Sequence, residues 1–218
     1  MSSKFHFNKL NHNTMKITAI FVAAGSSTRM GAKNKLLLSY GNATLVEHTF
    51  KQLNNSLIDE IVIVTGFEAT KITATLQKGN LKFAHNFNHL TGLTSSIKTG
   101  INAIGDECDG YMITLSDMPY LTTLNYNAVI NTFRATYKKS PLIVVPKVKP
   151  QIGNPVIFSK EWRAEILAHQ NLEGCKAIIQ KNNKFVKKLI LRNQNAFNDI
   201  DYPKDYQKLI NVRVKPTN

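Results

Sequence analysis

The stretch ITAIFVAAGSSTRMGAKNKLLL, residues 17–38, decides the fold. Its first part belongs to a continuous apolar run at residues 16–24, which is typical of a parallel strand buried on both faces. The run opens into a loop of small residues, which lets the backbone approach a ligand closely. The loop then carries Arg29 and Lys35, so the expected ligand is an anion. The spacing matches neither GxxxxGKS/T nor GxGxxG, and a plain connecting loop is the alternative.

Strands and helices alternate along the rest of the chain. Apolar runs predict further strands at residues 60–65, 81–84, 110–115, 142–145, 156–158 and 185–191. Helical spacing predicts helices near residues 44–53, 68–77, 95–104, 124–137, 160–169 and 174–180, with a last helix after the segment NDIDYPKDY. Because strands separated by helices form parallel sheets with right-handed crossovers, we expect a three-layer α/β fold with a mostly parallel central sheet flanked by helices.

The length of 218 residues fits one domain. Residues 1–14 are polar and lack periodicity, so we predict a disordered leader there, with Met15 as a candidate start residue. Residues 15–218 are then expected to form a single domain. Proline and glycine interrupt the alternation after residue 145, and we expect a less regular region at about residues 146–200.

The charge balance favours anionic partners. The chain has 28 Lys and Arg residues against 14 Asp and Glu residues, which gives a net charge of +14. The basic residues are scattered, so a phosphorylated small molecule is a better expectation than nucleic acid, and a solvated surface is the alternative. No apolar run reaches the roughly 20 residues of a membrane span, and no secretory signal or cysteine framework is visible. We therefore expect a cytoplasmic protein without a membrane partner.

Two acidic segments follow predicted strands. Asp117 lies in SDMP, directly after the strand at residues 110–115, and Asp201 lies in NDIDYP near the end of the chain. Ligands of open α/β sheets bind at the carboxyl ends of the strands, where a carboxylate can hold a phosphate-bound Mg²⁺. Strand alternation places Asp199 on the same side as Asp201. A helix N-cap is the competing role for Asp117 and for Asp201.

Five segments together carry a family resemblance. AAGSSTRMGAKNKLLL, TGLTSSIKTGI, LSDMP, GNPVIF and NDIDYPKDY occur in this order. In this order they resemble the molybdenum cofactor cytidylyltransferase-like nucleotidyltransferases, the family with a MobA-like NTP transferase domain, over about residues 17–206. Many sugar-phosphate and isoprenoid cytidylyltransferases share the first segment, whereas the pair TGLTSSI and GNPVIF is more specific. Related guanylyltransferases usually begin with LAGG, so Ala23-Ala24-Gly25 favours the cytidylyl branch.

The resemblance implies a Rossmann-like nucleotidyltransferase fold whose N-terminal half binds the nucleotide. Arg29 and Lys35 would hold the triphosphate and act in catalysis with Asp117, while Asp117 and Asp201 would hold Mg²⁺. The residues that would contact the nucleotide are Ala23, Ala24, Gly25, Arg29, Lys35, Thr91, Gly92, Ser95 and Ser96. Lys33 is interpreted as a surface charge.

The resemblance also implies that the region at about residues 146–200 forms the acceptor side. The residues assigned to it are Gly153, Asn154, Pro155 and Lys176. One segment departs from the family, which commonly has Gly-Asp-x-Gly-Ala-Arg/Lys before a helix. Here Leu172 replaces the acid, Glu173 follows one place later, and Cys175 is interpreted as a small packing residue. The departure bears on the identity of the acceptor more than on nucleotide binding.

The function implied by the resemblance is Mg²⁺-dependent transfer of CMP from CTP to a molybdopterin-type cofactor, with release of pyrophosphate. The implied partners are CTP or another NTP, a phosphorylated acceptor such as molybdopterin, and a molybdoenzyme in transient contact. Three alternatives stay open. The acceptor is a sugar phosphate or polyol phosphate, the chain is a non-catalytic cofactor-binding accessory protein, or, on charge alone, it binds nucleic acid.

Overall fold

The computed structural model describes residues 15–214, apart from residues 32, 78, 80 and 149. The predicted leader at residues 1–14 lies outside the described residues. Within the described part of the chain, no helix is long and apolar enough to cross a bilayer.

The strands form one large sheet and one small hairpin. The strands are β1 (Ile17–Ala23), β2 (Ser39–Tyr40), β3 (Ala43–Thr44), β4 (Glu60–Thr65), β5 (Lys82–His85), β6 (Gly110–Leu115), β7 (Ile143–Val148), β8 (Gln151–Ile152), β9 (Val156–Ser159) and β10 (Val186–Ile190). The large sheet has the order β10-β7-β9-β6-β1-β4-β5, with β8 paired to β7, and β2 pairs with β3 in the hairpin. The pairs β1–β4, β1–β6, β4–β5 and β7–β10 are parallel, whereas β9 runs antiparallel to both β6 and β7.

Helices cover both faces of the sheet. They are α1 (Leu45–Asn54), α2 (Ala69–Leu76), α3 (Leu93–Ala103), α4 (Thr123–Thr136), α5 (Arg163–Ala168), α6 (Lys176–Lys181) and α7 (Pro203–Val214). Two of them begin with a reciprocal capping box, Thr44 with Glu47 before α1 and Thr122 with Asn125 before α4. Such a box satisfies backbone N–H groups that a helix start leaves unpaired, and it fixes where each helix begins.

The central strand shows why the fold has three layers. Ile17, Ala19 and Phe21 of β1 point into a core with residues of α1, α2 and α4. Ile20 and Val22 point into a second core with residues of α3, α5 and α6. Both faces of β1 are buried, which accounts for its continuous apolar sequence. The predicted three-layer α/β fold with a mostly parallel sheet is confirmed.

Several short elements differ from the prediction. The hairpin β2–β3 and the strand β8 were not predicted, because two-residue strands are too short to show alternation. The helix predicted at residues 160–169 begins instead with a 3₁₀ turn at Lys160–Trp162, and α5 follows it. The antiparallel direction of β9 was not predicted. All four residues of β9 are buried, and a run of buried residues does not indicate in which direction a strand runs.

The strand register places the candidate site. Val22 of β1 lies beside Leu115 of β6, so the loops that follow these parallel strands leave the sheet side by side. This end of the sheet is the one at which ligands bind in open α/β folds.

Candidate functional site

The loop after β1 is folded back on itself. Ser27 and Gly31 both have a positive φ, of 53° and 71°, and they flank a 3₁₀ turn at Thr28–Met30. The N–H of Lys35 donates to the hydroxyl of Ser27 at 3.1 Å, and that hydroxyl donates to Asn34 Oδ1 at 3.4 Å. These bonds bring the two ends of the loop together, and Arg29 and Lys35 lie within it.

The acidic segments meet through the backbone. The N–H of Ile200 donates to the carbonyl of Asp117 at 3.1 Å, which fixes the distant segment to the end of β6. Ile200 is buried in a small cluster with Leu45 and Leu209. On the other side of Asp117, the hydroxyl of Ser116 donates to the carbonyl of Val22 at 2.7 Å and ties this turn to β1. Asp117 and Asp201 are therefore held together although they lie far apart in the sequence.

The cations and the acids form one cluster. Lys35 Nζ lies 2.6 Å from Asp117 Oδ2 and 2.8 Å from Asp201 Oδ1. Arg29 Nη1 lies 2.5 Å from Asp201 Oδ2. The side chains of Lys35 and Asp117 are 11% and 17% exposed, so their charges are only partly screened by water. The sequence predicted these four side chains for one site, and the structure brings them into contact.

The cluster shifts the pKa values of its members. Burial lowers the pKa of Lys35, but the charges and hydrogen bonds of Asp117 and Asp201 outweigh it and raise the pKa above its usual value. Burial raises the pKa of Asp201, but Lys35 and Arg29 outweigh it and lower the pKa. Burial, followed by the charges of Asp117 and Asp201, raises the pKa of Asp199 above its usual value. Asp199 and Asp201 do not belong to a strand, so the alternation from which their common side was predicted does not apply here.

The cluster lies in a cleft of about 250 Å³. We call this cavity the cleft; its lining is Val22, Gly25, Ser27, Thr28, Arg29, Lys35, Leu36, Leu93, Leu115, Ser116, Asp117 and Asp201. A Cβ atom placed on Gly25 would meet no atom within 4 Å, so the backbone at Gly25 faces open space in the cleft. An exposed backbone beside two cations is an arrangement that binds phosphate groups.

Asp117 also has the features of a metal ligand. Among the described residues, its Oδ1 atom is buried without a hydrogen-bond partner. A buried carboxylate oxygen without a partner is unfavourable unless a ligand satisfies it. Within the part of the chain that the structure describes, no group of three or more His, Cys, Asp or Glu side chains is placed to hold a metal. A divalent ion would therefore take one or two carboxylates from the protein and its other oxygens from phosphates and water, as Mg²⁺ commonly does.

The competing N-cap roles of the two acids are wrong. No helix begins after Asp117 until α4, which is capped by Thr122. At the start of α7 the carboxylate of Asp205 accepts the N–H of Tyr202 at 2.8 Å. The side chain of Asp201 is turned instead toward Lys35 and Arg29.

Several predicted nucleotide contacts lie outside the lining of the cleft. Ser95 and Ser96 accept hydrogen bonds from Asn86 Nδ2 at 2.8 and 2.9 Å, and Thr91 donates to the carbonyl of Asn88 at 2.8 Å. Ala23 and Ala24, at the end of β1, are buried. Contact of these residues with a nucleotide stays a prediction.

Sequence reasoning missed the two residues between Gly92 and Ser95. The hydroxyl of Thr94 donates to the carbonyl of Asn171 and accepts the N–H of Gly174 at 3.0 Å. Gly92, with φ of 111°, packs so closely that a Cβ would lie 2.6 Å from the carbonyl oxygen of Leu172. The TGLTSSI segment therefore contacts the loop at residues 171–174 directly. Thr94 lies within this motif, but it has no charge, so the sequence analysis did not select it as a candidate residue.

The predicted acceptor residues gather at a second cavity, which we call the slot. It has about 260 Å³, and its polar lining is Gly153, Asn154, Glu173, Cys175 and Lys176. Leu93 lines both the slot and the cleft, so the two cavities adjoin at this side chain. Pro155 is buried next to the slot without lining it. Burial raises the pKa of the Cys175 thiol to about 12, which keeps it neutral and consistent with a packing role.

Comparison with known proteins gives the fold and the site a context. The model of the MobA-like NTP transferase domain matches residues 19–186, which is more than half of the chain. The molybdenum cofactor cytidylyltransferase of Escherichia coli is 25% identical over 194 residues, which cover 87% of this chain and 93% of that protein.

Solved structures agree on the fold. A nucleotidyl transferase from Methanothermobacter thermautotrophicus has a TM-score of 0.78 at 18% identity and covers 92% of this chain and 99% of its own. The Rv0371c protein of Mycobacterium tuberculosis in complex with manganese has a TM-score of 0.71 at 20% identity and covers 90% and 99%. The match to the family model shows that this chain belongs to the MobA-like NTP transferase domain family of nucleotidyltransferases.

Proposed function

We propose that the chain transfers CMP from CTP to the phosphate of a molybdopterin-type acceptor and releases pyrophosphate. The observation that carries the proposal is the cluster in which Arg29, Lys35 and Asp117, after the carboxyl ends of β1 and β6, contact Asp201 or one another. In the reaction an oxygen of the acceptor phosphate bonds to the α-phosphorus of CTP. The bond from that phosphorus to the β-phosphate oxygen breaks, and pyrophosphate leaves with the electron pair.

The cleft would hold CTP, the donor of the CMP group, through the backbone at Gly25 and the positive charges of Arg29 and Lys35. The exposed backbone at Gly25 lies beside the cleft, where the nucleotide would approach. Lys35 Nζ donates to two carboxylates, and an ammonium group has three N–H donors, so one is left for a phosphate oxygen. Arg29 is 60% exposed and has further donors in a planar fork that fits phosphate. Such charge neutralisation and positioning account for most of the catalysis in phosphoryl transfer.

Asp117 and Asp201 would hold Mg²⁺. The buried, unpartnered Oδ1 atom of Asp117 supports this assignment within the described residues. When bound, the ion supplies positive charge against the phosphates of both substrates. Lys35 lies between the two carboxylates, so it balances their charge when no ion is bound and fixes their separation.

The acceptor half would be the region at about residues 146–200. Gly153, Asn154 and Lys176 line the slot, which adjoins the cleft at Leu93. The choice of a molybdopterin-type acceptor is supported by the similarity to the Escherichia coli molybdenum cofactor cytidylyltransferase. The acceptor phosphate is already an anion, so the transfer needs no strong general base.

Nucleotide titration tests the donor half. Isothermal titration with CTP, GTP and ATP in Mg²⁺ is expected to give the lowest Kd for CTP. Arg29→Ala is expected to raise the Kd for CTP about tenfold to a hundredfold, the range of a lost hydrogen bond to a charged group. Lys33→Ala is the matched control, because Lys33 is an exposed cation of the same loop outside the lining of the cleft. A preference for GTP would overturn the choice of CTP, and equal effects of the two variants would overturn the role of Arg29.

Product formation tests the acceptor half. Full-length protein with CTP, Mg²⁺ and molybdopterin is expected to release pyrophosphate and to form a cytidylylated pterin that mass spectrometry detects. Pyrophosphate release with a sugar phosphate but not with molybdopterin would replace the proposed acceptor. Tight CTP binding without turnover on any acceptor would favour the non-catalytic alternative.

A further inference from the structure

The segment that carries Asp117 lies between two regular elements. We call residues 116–119 the acidic turn; they follow β6, which ends at Leu115, and precede α4, which begins at Thr123. The backbone carbonyl groups of such a turn are not paired by a regular ladder, so other parts of the chain must supply their donors. The position of the Asp117 side chain therefore depends on where those donors lie.

Helix α1 supplies two of the donors from neighbouring positions. The hydroxyl of Thr49 donates to the carbonyl of Ser116 at 2.8 Å. Nε2 of His48 lies 3.0 Å from the carbonyl oxygen of Pro119. A carbonyl oxygen can only accept, so Nε2 carries a proton and donates it. The two bonds reach the first and the last residue of the acidic turn, on either side of Asp117.

The contact of Thr49 with the acidic turn differs from the ordinary contact of a helical threonine. Such hydroxyl groups commonly donate to a carbonyl three or four residues earlier in their own helix. The carbonyls of Leu45 and Val46 lie 3.0 and 3.2 Å from the Thr49 hydroxyl. The carbonyl of Ser116 is nearer, at 2.8 Å. Because Thr49 is only 1% exposed, water cannot readily replace this donor if it is lost.

The same helix contacts the segments that carry two other charges of the cleft. The N–H of Leu45, the first residue of α1, donates to the carbonyl of Leu38 at 2.9 Å. The N–H of Leu38 in turn donates to the carbonyl of Lys35 at 3.2 Å. Leu45 is also buried in one cluster with Ile200, which precedes Asp201. Together with the acidic turn, these contacts connect three of the four charged residues of the cleft to one helix.

The ring of His48 is itself held in place. Its centroid lies 4.6 Å from that of Tyr40, and the two ring planes are 74° apart, which is an edge-to-face arrangement. Tyr40 belongs to the hairpin β2–β3, and the hydroxyl of Tyr206 on α7 donates to the carbonyl of Ser39 in that hairpin at 2.7 Å. The support of the acidic turn is therefore continuous with the helix that follows Asp201.

We infer that His48 and Thr49 are positioning residues of the transfer reaction, because they fix the carboxylate of Asp117 where the proposed metal ion would bind. This inference rests on the proposed function. The described lining of the cleft contains neither side chain, so both would act through the backbone of the acidic turn and not on a substrate. The Oδ1 atom of Asp117 is buried and lacks a partner among the described residues, so its position depends on the turn. Groups that hold metal ligands in place commonly change metal affinity by about 10–100-fold.

The metal dependence of CTP binding tests the inference without turnover. Isothermal titration of the full-length protein gives the Kd for CTP in Mg²⁺ and in EDTA, and the ratio of the two reports the contact between protein and metal. We expect Mg²⁺ to lower the Kd for the wild type. Thr49→Val removes the hydroxyl but keeps the shape, and His48→Phe removes both ring nitrogens. Each is expected to reduce the ratio severalfold, with an unchanged Kd in EDTA.

Conservative variants and a control separate positioning from stability. Thr49→Ser and His48→Gln restore a donor and are expected to return the ratio toward the wild-type value. Thr132→Val is the matched control, because the Thr132 hydroxyl donates within α4 to the carbonyl of Ala128 at 2.8 Å and lies outside the lining of the cleft. His48 is half-buried, so its variants keep the test available if Thr49→Val does not fold.

Three results would overturn the inference. They are no effect of Mg²⁺ on CTP binding by the wild type, an unchanged ratio in the variants, and an equal loss of affinity in Mg²⁺ and in EDTA. The outcome is separable from that of the proposed function. If the ratio falls as expected but no acceptor supports pyrophosphate release from CTP, the proposed function fails and the positioning role stands. If the wild type releases pyrophosphate and the ratio is unchanged in the variants, the transferase activity stands and the inference fails.

Discussion

The cleft and the slot have nearly the same volume, about 250 and 260 Å³, and they share Leu93, but they are built from different chemistry. The cleft contains a cluster of two cations and two carboxylates beside an exposed backbone. The slot is an apolar space between a sheet face and two helices. The cleft is therefore suited to a charged ligand, whereas the slot is suited to a ligand with apolar surface.

The two cavities are also positioned in different ways. The side chains of the cleft follow the carboxyl ends of adjacent parallel strands, and backbone bonds such as Ile200 N–H to the Asp117 carbonyl fix them. The slot depends on the loop at residues 171–174, which is held by Thr94. A loop held by side-chain bonds is easier to change without loss of the fold than the end of a central strand.

The largest expected effect is on the cleft. Asp117→Asn removes a charge from the partner of Lys35 and from the proposed metal site, and it keeps the shape of the side chain. We expect turnover to fall by about 10²–10³-fold, the scale of a lost electrostatic group at a reacting phosphate or carbonyl. Pyrophosphate release from CTP measures the effect, and circular dichroism reports whether the fold is kept.

Asp106→Asn is the matched control for this variant, because Asp106 is exposed on the loop before β6 and outside both cavities. It is expected to keep wild-type turnover. If Asp117→Asn keeps turnover within a few fold of the wild type, the cleft is not the reaction site and the division of labour between the two cavities is wrong.

Most of the cleft could be predicted from the sequence. Arg29 and Lys35 follow one apolar strand, and Asp117 follows another. The rule that strand ends meet at one edge of a parallel sheet brings such residues together before any coordinates are known. Asp201 was harder, because the sequence analysis placed it after a predicted strand, whereas in the structure it follows an irregular segment that comes after β10.

The slot could not be predicted as a cavity. The strand residues that line it, such as Val156 and Phe158, belong to buried strands whose sequence is the same whether the helix above packs tightly or leaves a gap. The direction of β9 was hidden for the same reason, because strands buried on both faces carry no polar alternation. Thr94 was missed since a buried threonine hydroxyl becomes informative only when its two backbone partners, at Asn171 and Gly174, are known.

The next largest effect concerns Thr94, which holds the loop at residues 171–174 beside the slot. Thr94→Val keeps the shape of the side chain but leaves the carbonyl of Asn171 and the N–H of Gly174 without their partner. An unsatisfied buried group costs about 1–3 kcal/mol, so the loop at residues 171–174 is expected to loosen. We expect KM for the acceptor to rise severalfold while the Kd for CTP is unchanged.

Thr94→Ser restores the hydroxyl group and is expected to return KM for the acceptor toward the wild-type value. A change in CTP affinity that equals the change in acceptor KM would indicate that Thr94 supports both cavities. In that case the cleft and the slot would be mechanically coupled and not separate.

A smaller effect is expected from a single methyl group in the cleft. Gly25→Ala places a Cβ in open space, where it meets no protein atom within 4 Å. We expect an unchanged Tm and a severalfold higher Kd for CTP, because the methyl group occupies the space through which the nucleotide would reach the backbone. Gly105→Ala is the matched control, because a Cβ there also meets nothing within 4 Å and Gly105 lies outside both cavities. Equal CTP affinities of the two variants would remove Gly25 from the nucleotide site.

The smallest expected effect is the contribution of Asp201 in the cleft to the pH dependence of the free energy of unfolding. The folded-state pKa of Asp201 lies below its ordinary value of 3.8, because Lys35 and Arg29 outweigh the effect of burial. Its stabilisation is therefore fully present above pH 3.8 and is lost as the pH falls through the folded pKa. The pKa of Lys35 is raised above 10.5, so Lys35 keeps its charge throughout the acidic range.

The measurement is the difference in free energy of unfolding between the wild type and Asp201→Asn, from urea titrations at pH 7, 5 and 3. The difference is expected to be constant from pH 7 to pH 5 and to shrink at pH 3, where the carboxylate begins to take up a proton. Cys175→Ser in the slot is the control, because the pKa of that thiol is about 12 and its charge does not change in this range. If the difference for Asp201→Asn stays constant down to pH 3 like that of the control, Asp201 gains no net stability from Lys35 and Arg29. The cluster would then hold its two carboxylates together for the ligand and not for the fold.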